Sequence, residues 1–105
     1  MPDTKKPSSK DSQPPLVKDK ASFRRWCHFM VLNVHQASAV LRISEPMVYK
    51  YIDPKSTTNV RSVVALACNL ISEKDPDTRA TWIQKALNNS GCNTPWPAAN
   101  PITKE

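Results

Sequence analysis

The cysteine and histidine residues could serve the widest range of chemistry, from metal binding to nucleophilic catalysis. The three cysteines, Cys27, Cys68 and Cys92, are an odd number and show no CxxC spacing. Cys27 and Cys68 fall at apolar positions of helical patterns, where a free thiol behaves as a small hydrophobe. His28 directly follows Cys27 and His35 is isolated, so neither completes a ligand set. We therefore expect free thiols, no disulfide framework and no metal site.

Patterns that would indicate catalysis are missing from the sequence. It has no paired carboxylates, no nucleophile elbow and, with a single glycine, no glycine-rich phosphate loop. Asp75 and Asp77 flank a proline at a predicted helix start, where acidic residues act as caps. We expect neither enzymatic activity nor a cofactor.

Length and charge favour one small basic domain. The 105 residues carry a formal net charge of +6, with a pI of about 9.5. Between Ala21 and Asn89, nine basic residues stand against five acidic ones, a balance that suits a polyanionic partner such as DNA. The start of the chain lacks the apolar run of a signal peptide, and no stretch approaches the ~20 apolar residues of a membrane span. We expect a cytoplasmic protein without a membrane partner.

The segment Val34–Asp53 predicts two short helices joined by a tight turn. The first would run from about His35 to Arg42, and the second from Ser44, its N-cap, to Asp53 before Pro54. The residues expected to be buried lie on one face of this pair: Ala37, Ser38, Leu41, Ile43, Val48 and Tyr51. Such a buried set is typical of a helix-turn-helix, whose second helix enters the major groove of DNA.

This segment resembles the DNA-binding unit of small bacterial and phage repressors of the Cro, cI and cII kind. The residues that carry the resemblance, from Ala37 to Tyr51, read A-x-x-x-L-x-I-S-x-x-x-V-x-x-Y. It covers about 20 residues closely and about 50 more in the order of the flanking helices. Arg42 departs from the family, which usually has glycine in the left-handed turn; a non-glycine residue there costs on the order of 1 kcal/mol.

The resemblance implies two groups of DNA-contacting residues. Base contacts would come from Glu45, Pro46, Tyr49 and Lys50: Lys50 can donate to guanine, Glu45 can accept from cytosine N4, and Tyr49 can contact a thymine methyl group. Glu45 also lies in the first turn of the helix, where its charge interacts favourably with the helix dipole. This interaction alone could explain a glutamate at that position. The residues expected to contact phosphates are His35, Gln36, Arg42, Lys55, Ser56, Thr57 and Arg61. For each basic residue the alternative is a solvated surface charge.

Three further helices should flank this pair, giving an all-α bundle of about five helices. The first is capped by Ser22 or Asp19 and has a continuous apolar stripe of Phe23, Trp26, Cys27, Met30, Val31 and Val34. The fourth, capped by Thr58 or Asn59, would place Val60, Val63, Val64, Ala67, Leu70 and Ile71 inward. The fifth, capped by Asp77, carries Ala80, Ile83 and Leu87 on one stripe.

Composition divides the chain into a disordered basic arm (residues 1–20), a DNA-binding domain (21–90) and a proline-rich flexible tail (91–105). Within the tail, Trp96 could pack back on the domain or dock on another protein. The last helix of the domain is expected to form a homodimer through Trp82, Ile83, Ala86 and Leu87, although Trp82 could instead close the core against Trp26.

Taken together, the sequence predicts a dimeric, sequence-specific transcriptional regulator that binds double-stranded DNA at a palindromic operator, as a phage or plasmid repressor does, with no small-molecule effector evident. Two other functions stay open. One is a helical protein-interaction module, such as an antitoxin or adaptor. The other is an architectural or recombination accessory factor that binds DNA mainly to bend it.

Overall fold

The computed structural model describes residues 14–103, which form five α-helices and no strand. The all-α prediction is confirmed for this part of the chain. Within it, no helix is long and apolar enough to cross a membrane. The helices are α1 (Lys20–Phe29), α2 (Val34–Leu41), α3 (Glu45–Ile52), α4 (Ser62–Ser72) and α5 (Pro76–Asn89).

Helix α1 is capped at its start by Asp19 and ends earlier than its apolar stripe predicted. The Asp19 carboxylate accepts a hydrogen bond from the Ser22 backbone N–H at 2.9 Å. At the other end Val31 is left-handed (φ 57°), and the Leu32 N–H returns to the Cys27 carbonyl, as in a Schellman closure. The apolar stripe therefore does not belong to a single helix. Met30 and Val31 lie in the connection between α1 and α2, and Val34 is the first residue of α2.

The core is centred on α1, which contacts α3 and α4 through aromatic side chains. Phe23 and Tyr51, both fully buried, meet edge to face with ring centroids 5.4 Å apart. Trp26 is also fully buried and donates its indole N–H to the Ser72 hydroxyl at 2.8 Å. Because aromatic rings bury large apolar areas and Trp needs a partner for its N–H, these contacts fix α3 and α4 against α1.

Helix α4 presents a different face to the core from the one predicted. It begins at Ser62, with Arg61 at the N-cap position, so neither Thr58 nor Asn59 caps it. Its buried residues are Val64, Cys68 and Ile71, whereas Val63 and Leu70 are 65% and 52% exposed. The helix is apolar almost all round, so two faces fit the same spacing and the periodicity could not select the inner one.

Helix α5 is capped by Asp75, not by Asp77 as predicted. The Asp75 carboxylate accepts from the Thr78 backbone N–H at 3.1 Å, and Pro76 occupies the first helical position. Asp77 then lies inside the first turn, where its charge suits the helix dipole. Ile83 and Leu87 are each 1% exposed and belong to the core, as their stripe predicted.

The proline-rich segment after α5 packs on the bundle as a strap, residues 92–103. The Ala98 N–H donates to the Val31 carbonyl at 3.0 Å, and the Ile102 N–H donates to the Leu32 carbonyl at 2.8 Å. Trp96 adds a bond from its indole N–H to the Met30 carbonyl at 2.9 Å. The structure thus differs from the predicted flexible tail over the strap, because these bonds hold it on the bundle, and Trp96 packs back on the domain; Lys104 and Glu105 lie outside the described residues.

The predicted arm overlaps the domain at its end. Residues 1–13 lie outside the described part of the chain. Val17 is 2% exposed and pairs with Asn69, which accepts from the Val17 N–H at 2.8 Å and donates to the Val17 carbonyl at 3.1 Å. The chain is thus part of the domain from Val17 onward, and Lys20 is the first residue of α1.

Candidate nucleic-acid interface

Helices α2 and α3 lie within one residue of their predicted bounds and are joined by only three residues. Arg42 ends α2 in the predicted left-handed conformation, with φ 60° and ψ 39°. The Ile43 N–H closes this end by donating to the Ser38 carbonyl at 3.2 Å. Ser44 caps α3, accepting from the Met47 N–H at 3.3 Å, and Pro46 is tolerated in the first turn. This short connection holds the two helices together as one unit.

The inner side of α3 is locked into the core. Val48 and Tyr51 are completely buried, as is Ala37 on the facing side of α2. The Tyr51 hydroxyl accepts from the Arg61 backbone N–H at 3.4 Å, which connects α3 to the start of α4. Burial of two consecutive turns on one side means that α3 cannot rotate about its axis without exposing this apolar surface.

The outer side of α3 carries the four residues predicted to contact bases. Glu45, Pro46, Tyr49 and Lys50 are all exposed, and Tyr49 leaves 56% of its surface in solvent. Glu45 lies in the first turn and Lys50 in the last. The helix therefore offers an acceptor, an aromatic ring and a cation along about two turns.

Glu45 has a partner within the chain. Its carboxylate oxygen Oε2 lies 2.7 Å from Nδ1 of His35, the second residue of α2. The side chains are 45% and 50% exposed, so the pair lies at the surface. This contact holds the first turns of α2 and α3 side by side, and gives Glu45 a structural role beside any role in base contact.

Further polar residues predicted to contact phosphates flank the outer side of α3. Arg42, Lys55, Thr57 and Arg61 are exposed, and Ser56 is partly buried. The loop after α3 is ordered by its own hydrogen bonds, since the Asp53 carboxylate accepts from the Lys55 N–H at 2.9 Å.

Lys20 also reaches this loop, donating from Nζ to the Ser56 carbonyl. Sequence reasoning missed this lysine because it counted residue 20 in the arm; Asp19 was already a candidate N-cap and could have placed Lys20 in the folded domain.

Gln36 cannot contact phosphate as predicted, because it is completely buried. Its side-chain amide donates to the Pro95 carbonyl at 2.8 Å, and its Oε1 accepts from the Asn33 N–H at 3.1 Å. With the Gln36 N–H donating to Asn33 Oδ1 at 2.8 Å, the two residues form a capping box. The spacing Asn33-x-x-Gln36 was the signal that could have identified this role.

The end of the strap forms a groove with one side of α3, which sequence reasoning also missed. Its walls include Tyr49 and Ile52 from α3 and Asn100 and Thr103 from the strap. Arg24 closes its base, donating from Nε to the Thr103 carbonyl at 2.9 Å and from a guanidinium NH₂ group to the Ile52 carbonyl at 3.1 Å. Arg24 thus links the C-terminal end of α3 to the strap.

Metal-binding and nucleophilic chemistry gain no support from the geometry. Among residues 14–103, no three His, Cys, Asp or Glu side chains cluster closely enough to hold a metal ion. All three cysteines are free. Burial raises the pKa of the Cys68 thiol to about 12 and that of Cys27 well above its ordinary value, so both stay protonated and unreactive.

The expected dimer surface on α5 is largely used within the chain. Ile83 and Leu87 pack in the core and are out of reach of a partner. Trp82 keeps 39% of its surface exposed and lines a groove with Val40 and Arg42 at the end of α2. Only Trp82 and the partly buried Ala86 remain accessible from the predicted set.

No protein-family model matches this sequence, and comparison with curated proteins and with solved structures found no match either. The geometry of the site is therefore the basis for the functional proposal.

Proposed function

We propose that this chain is a sequence-specific DNA-binding transcriptional regulator, acting as a dimeric repressor at a palindromic operator. In this proposal α2 and α3 form a helix-turn-helix and α3 enters the major groove. The observation that carries it is the division of α3 into two sides. Val48 and Tyr51 are fully buried, whereas Tyr49 and Lys50, their neighbours in sequence, are exposed and polar.

The dimensions of α3 support insertion into a groove. With its side chains a helix is about 10–12 Å across, which fits the major-groove width of about 12 Å, and the eight residues of α3 make it about 12 Å long. Lys50 would donate to guanine O6 or N7, Tyr49 would contact a thymine methyl group, and Glu45 would accept from cytosine N4. Pro46 has no N–H to offer and would contribute an apolar surface to the base edges.

Cations on both sides of α3 support binding to the DNA backbone. Arg42 precedes the helix, and Lys55 and Arg61 follow it, all three exposed. Such residues would neutralise phosphates and fix the register of the protein without reading sequence. His35 at the start of α2, Ser56 and Thr57 in the loop, and Lys20 beside them would complete this set.

A short recognition helix reads only a few base pairs, which is why the proposal includes a second subunit. Two copies related by a two-fold axis would read half-sites centred roughly 34 Å apart, or a multiple of this spacing, on one face of the DNA. The operator would then be a palindrome, with symmetry matching that of the protein.

Selection of binding sites from random DNA at about 150 mM salt tests the proposal. We expect one enriched palindromic motif. Lys50→Ala should relax the preference at one base pair of each half-site, whereas the matched control Lys55→Ala should weaken binding uniformly and reduce the salt slope by about 1.

Selection that enriches no motif would overturn this proposal. Uniform and strongly salt-dependent binding would favour an architectural DNA-binding protein. Absence of DNA binding would favour a protein-interaction module.

A further inference from the structure

The outer face of α4 is an apolar stripe that nothing covers among the described residues. Val63, Leu66 and Leu70 are 65%, 56% and 52% exposed. Their spacing of i, i+3 and i+7 places them on one side of the helix, opposite the buried Val64, Cys68 and Ile71. Contiguous apolar surface of this kind on a small domain marks an interaction site more often than isolated exposed residues do.

The charge distribution on α4 is unusual for this chain. None of its eleven residues, Ser62 to Ser72, is charged, although the chain carries a net charge of +6. The net positive charge opposes association of two copies, and a contact surface without cations adds no local repulsion to it. The stripe provides such a surface, and it offers no cation to a nucleic acid.

The spacing of the stripe is self-complementary. Leu66 lies three residues after Val63 and four before Leu70, so it is close to the midpoint. If two α4 helices pack antiparallel about a two-fold axis near Leu66, Val63 of each copy meets Leu70 of the other. This is an isologous contact, in which one surface patch serves both subunits.

The ends of α4 carry opposite charges that match the same arrangement. Arg61 lies at the N-terminal end and Glu73 at the C-terminal end, and both residues are exposed. Neither side chain makes an ion pair or hydrogen bond with another residue in the described range 14–103. In an antiparallel pair, the end of α4 that carries Arg61 lies beside the end of the other copy's α4 that carries Glu73. A parallel pair would instead place like charges together.

We propose that α4 is a homodimer surface, on which a second copy of this chain packs antiparallel through Val63, Leu66 and Leu70. The contact spans only about two turns of one helix, so it is smaller than the ~800 Å² per partner of a standard interface. We therefore expect a reversible dimer with a dissociation constant on the order of micromolar. This inference places the dimer contact of the proposed function on α4 instead of α5. Its tests measure dimer formation without DNA.

Disulfide trapping tests the position of the axis. In a Cys92→Ser background, which removes the remaining accessible thiol, Leu66→Cys should form a covalent dimer under mild oxidation. Two Leu66 residues face each other at the axis, within the Cα separation of about 4.4–6.8 Å that a disulfide needs. Val63→Cys alone should cross-link poorly, whereas Val63→Cys combined with Leu70→Cys should cross-link well. Gln84→Cys, exposed on α5, is the control and should stay monomeric on a non-reducing gel.

Analytical ultracentrifugation from about 1 to 200 μM provides the second test. The wild-type chain should shift from monomer to dimer over this range. Leu66→Glu, which places two carboxylates at the axis, should weaken the dimer at least tenfold, and the control Gln84→Glu should not. Arg61→Glu or Glu73→Arg alone should weaken it severalfold, and the double exchange should restore it. Leu66 is more than half exposed, so the circular dichroism of Leu66→Glu should match that of wild type.

A monomeric wild-type chain at 200 μM, or a dimer unchanged by Leu66→Glu, would overturn this inference. Its failure is separate from failure of the proposed function. If the chain dimerises but selects no DNA motif, the α4 contact is supported and the proposed regulatory function is contradicted. If the chain is monomeric but selects a motif, the α4 contact is contradicted and DNA recognition is supported.

Discussion

Oε2 of Glu45 lies 2.7 Å from Nδ1 of His35, which joins the first turn of α3 directly to the first turn of α2. The pair stands at the edge of the proposed recognition surface, with both side chains about half exposed. Glu45 therefore has two roles that experiment can separate: it positions α3 through His35, and it is a candidate acceptor for cytosine N4.

Glu45→Gln separates these roles because the amide can still hydrogen-bond to His35, whereas its added N–H donors favour adenine over the cytosine that a carboxylate reads. The pair is solvent-screened, so the free energy of unfolding should fall by less than about 1 kcal/mol, as measured by urea denaturation. If Glu45 also reads a base, the motif selected from random DNA should change at one base pair of each half-site. His35→Gln is the control: it should cost similar stability and leave the motif unchanged. An unchanged motif with Glu45→Gln would restrict Glu45 to the structural role.

The left-handed residues that close α1 and α2 give a second prediction. Val31 has φ 57° and is β-branched, and Arg42 has φ 60°, a conformation that costs L-residues about 1–2 kcal/mol. Glycine relieves this cost but gains freedom in the unfolded chain. Val31→Gly and Arg42→Gly should therefore each raise the free energy of unfolding by about 0.5–1 kcal/mol in urea denaturation. Under the proposed function, only Arg42→Gly should also weaken DNA binding, because it removes a cation beside α3.

Gly91 provides the reverse control. It closes α5 with φ +73°, and a Cβ there would meet nothing within 4 Å. Gly91→Ala should therefore lower the free energy of unfolding by about 1 kcal/mol through backbone strain alone. A neutral effect of Gly91→Ala would contradict the strain argument for all three positions.

The strap gives a third prediction, through hydrogen exchange. The amides of Ala98 and Ile102 donate to carbonyls of the α1–α2 connection, and both residues are 7% exposed. These two amides should exchange far more slowly than that of the exposed Asn100. Trp96→Ala should remove the bond to the Met30 carbonyl and lower the free energy of unfolding by about 2–3 kcal/mol, somewhat below the usual range for a fully buried Trp. Exchange of Ala98 and Ile102 at unprotected rates would show that the strap is not docked.

The contrast between α3 and the strap shows what the sequence could predict. Ser44, Pro46 and Pro54 bound α3 by local chemistry, and the buried Val48 and Tyr51 follow a helical period, so both bounds and faces could be predicted. The strap has no period, and its prolines suit a flexible chain equally well. What orders it is tertiary: carbonyls left free by the left-handed turn at Val31, which no local pattern indicated.

The candidate site, like the fold, could be predicted from the sequence only where local chemistry determines it. The outward residues of α3 followed from the helix itself, but the burial of Gln36 depends on Pro95, 59 residues away. The exposed stripe on α4 was missed because a helix without charged residues gives no local sign of which side faces solvent. A side that packs in the core and a side that forms an interface then have the same apolar pattern in the sequence. Only the packing of α1 against α4 distinguishes them.

The buried thiols of Cys27 and Cys68 give the last prediction, a loss of stability at alkaline pH. In the unfolded chain both ionise with a pKa near 8.5, whereas burial in the folded chain raises the pKa of Cys68 to about 12 and that of Cys27 well above its ordinary value. Above about pH 9 the unfolded state therefore binds fewer protons than the folded state, so the free energy of unfolding falls as pH rises towards 12. Each thiol contributes a slope of at most about 1.4 kcal/mol per pH unit.

Cys68→Ala should lower stability at pH 7 through lost packing, yet reduce this slope relative to wild type. Urea denaturation at intervals between pH 7 and pH 10.5 measures both effects, and parallel curves for Cys68→Ala and wild type would contradict the assignment of the slope to this thiol.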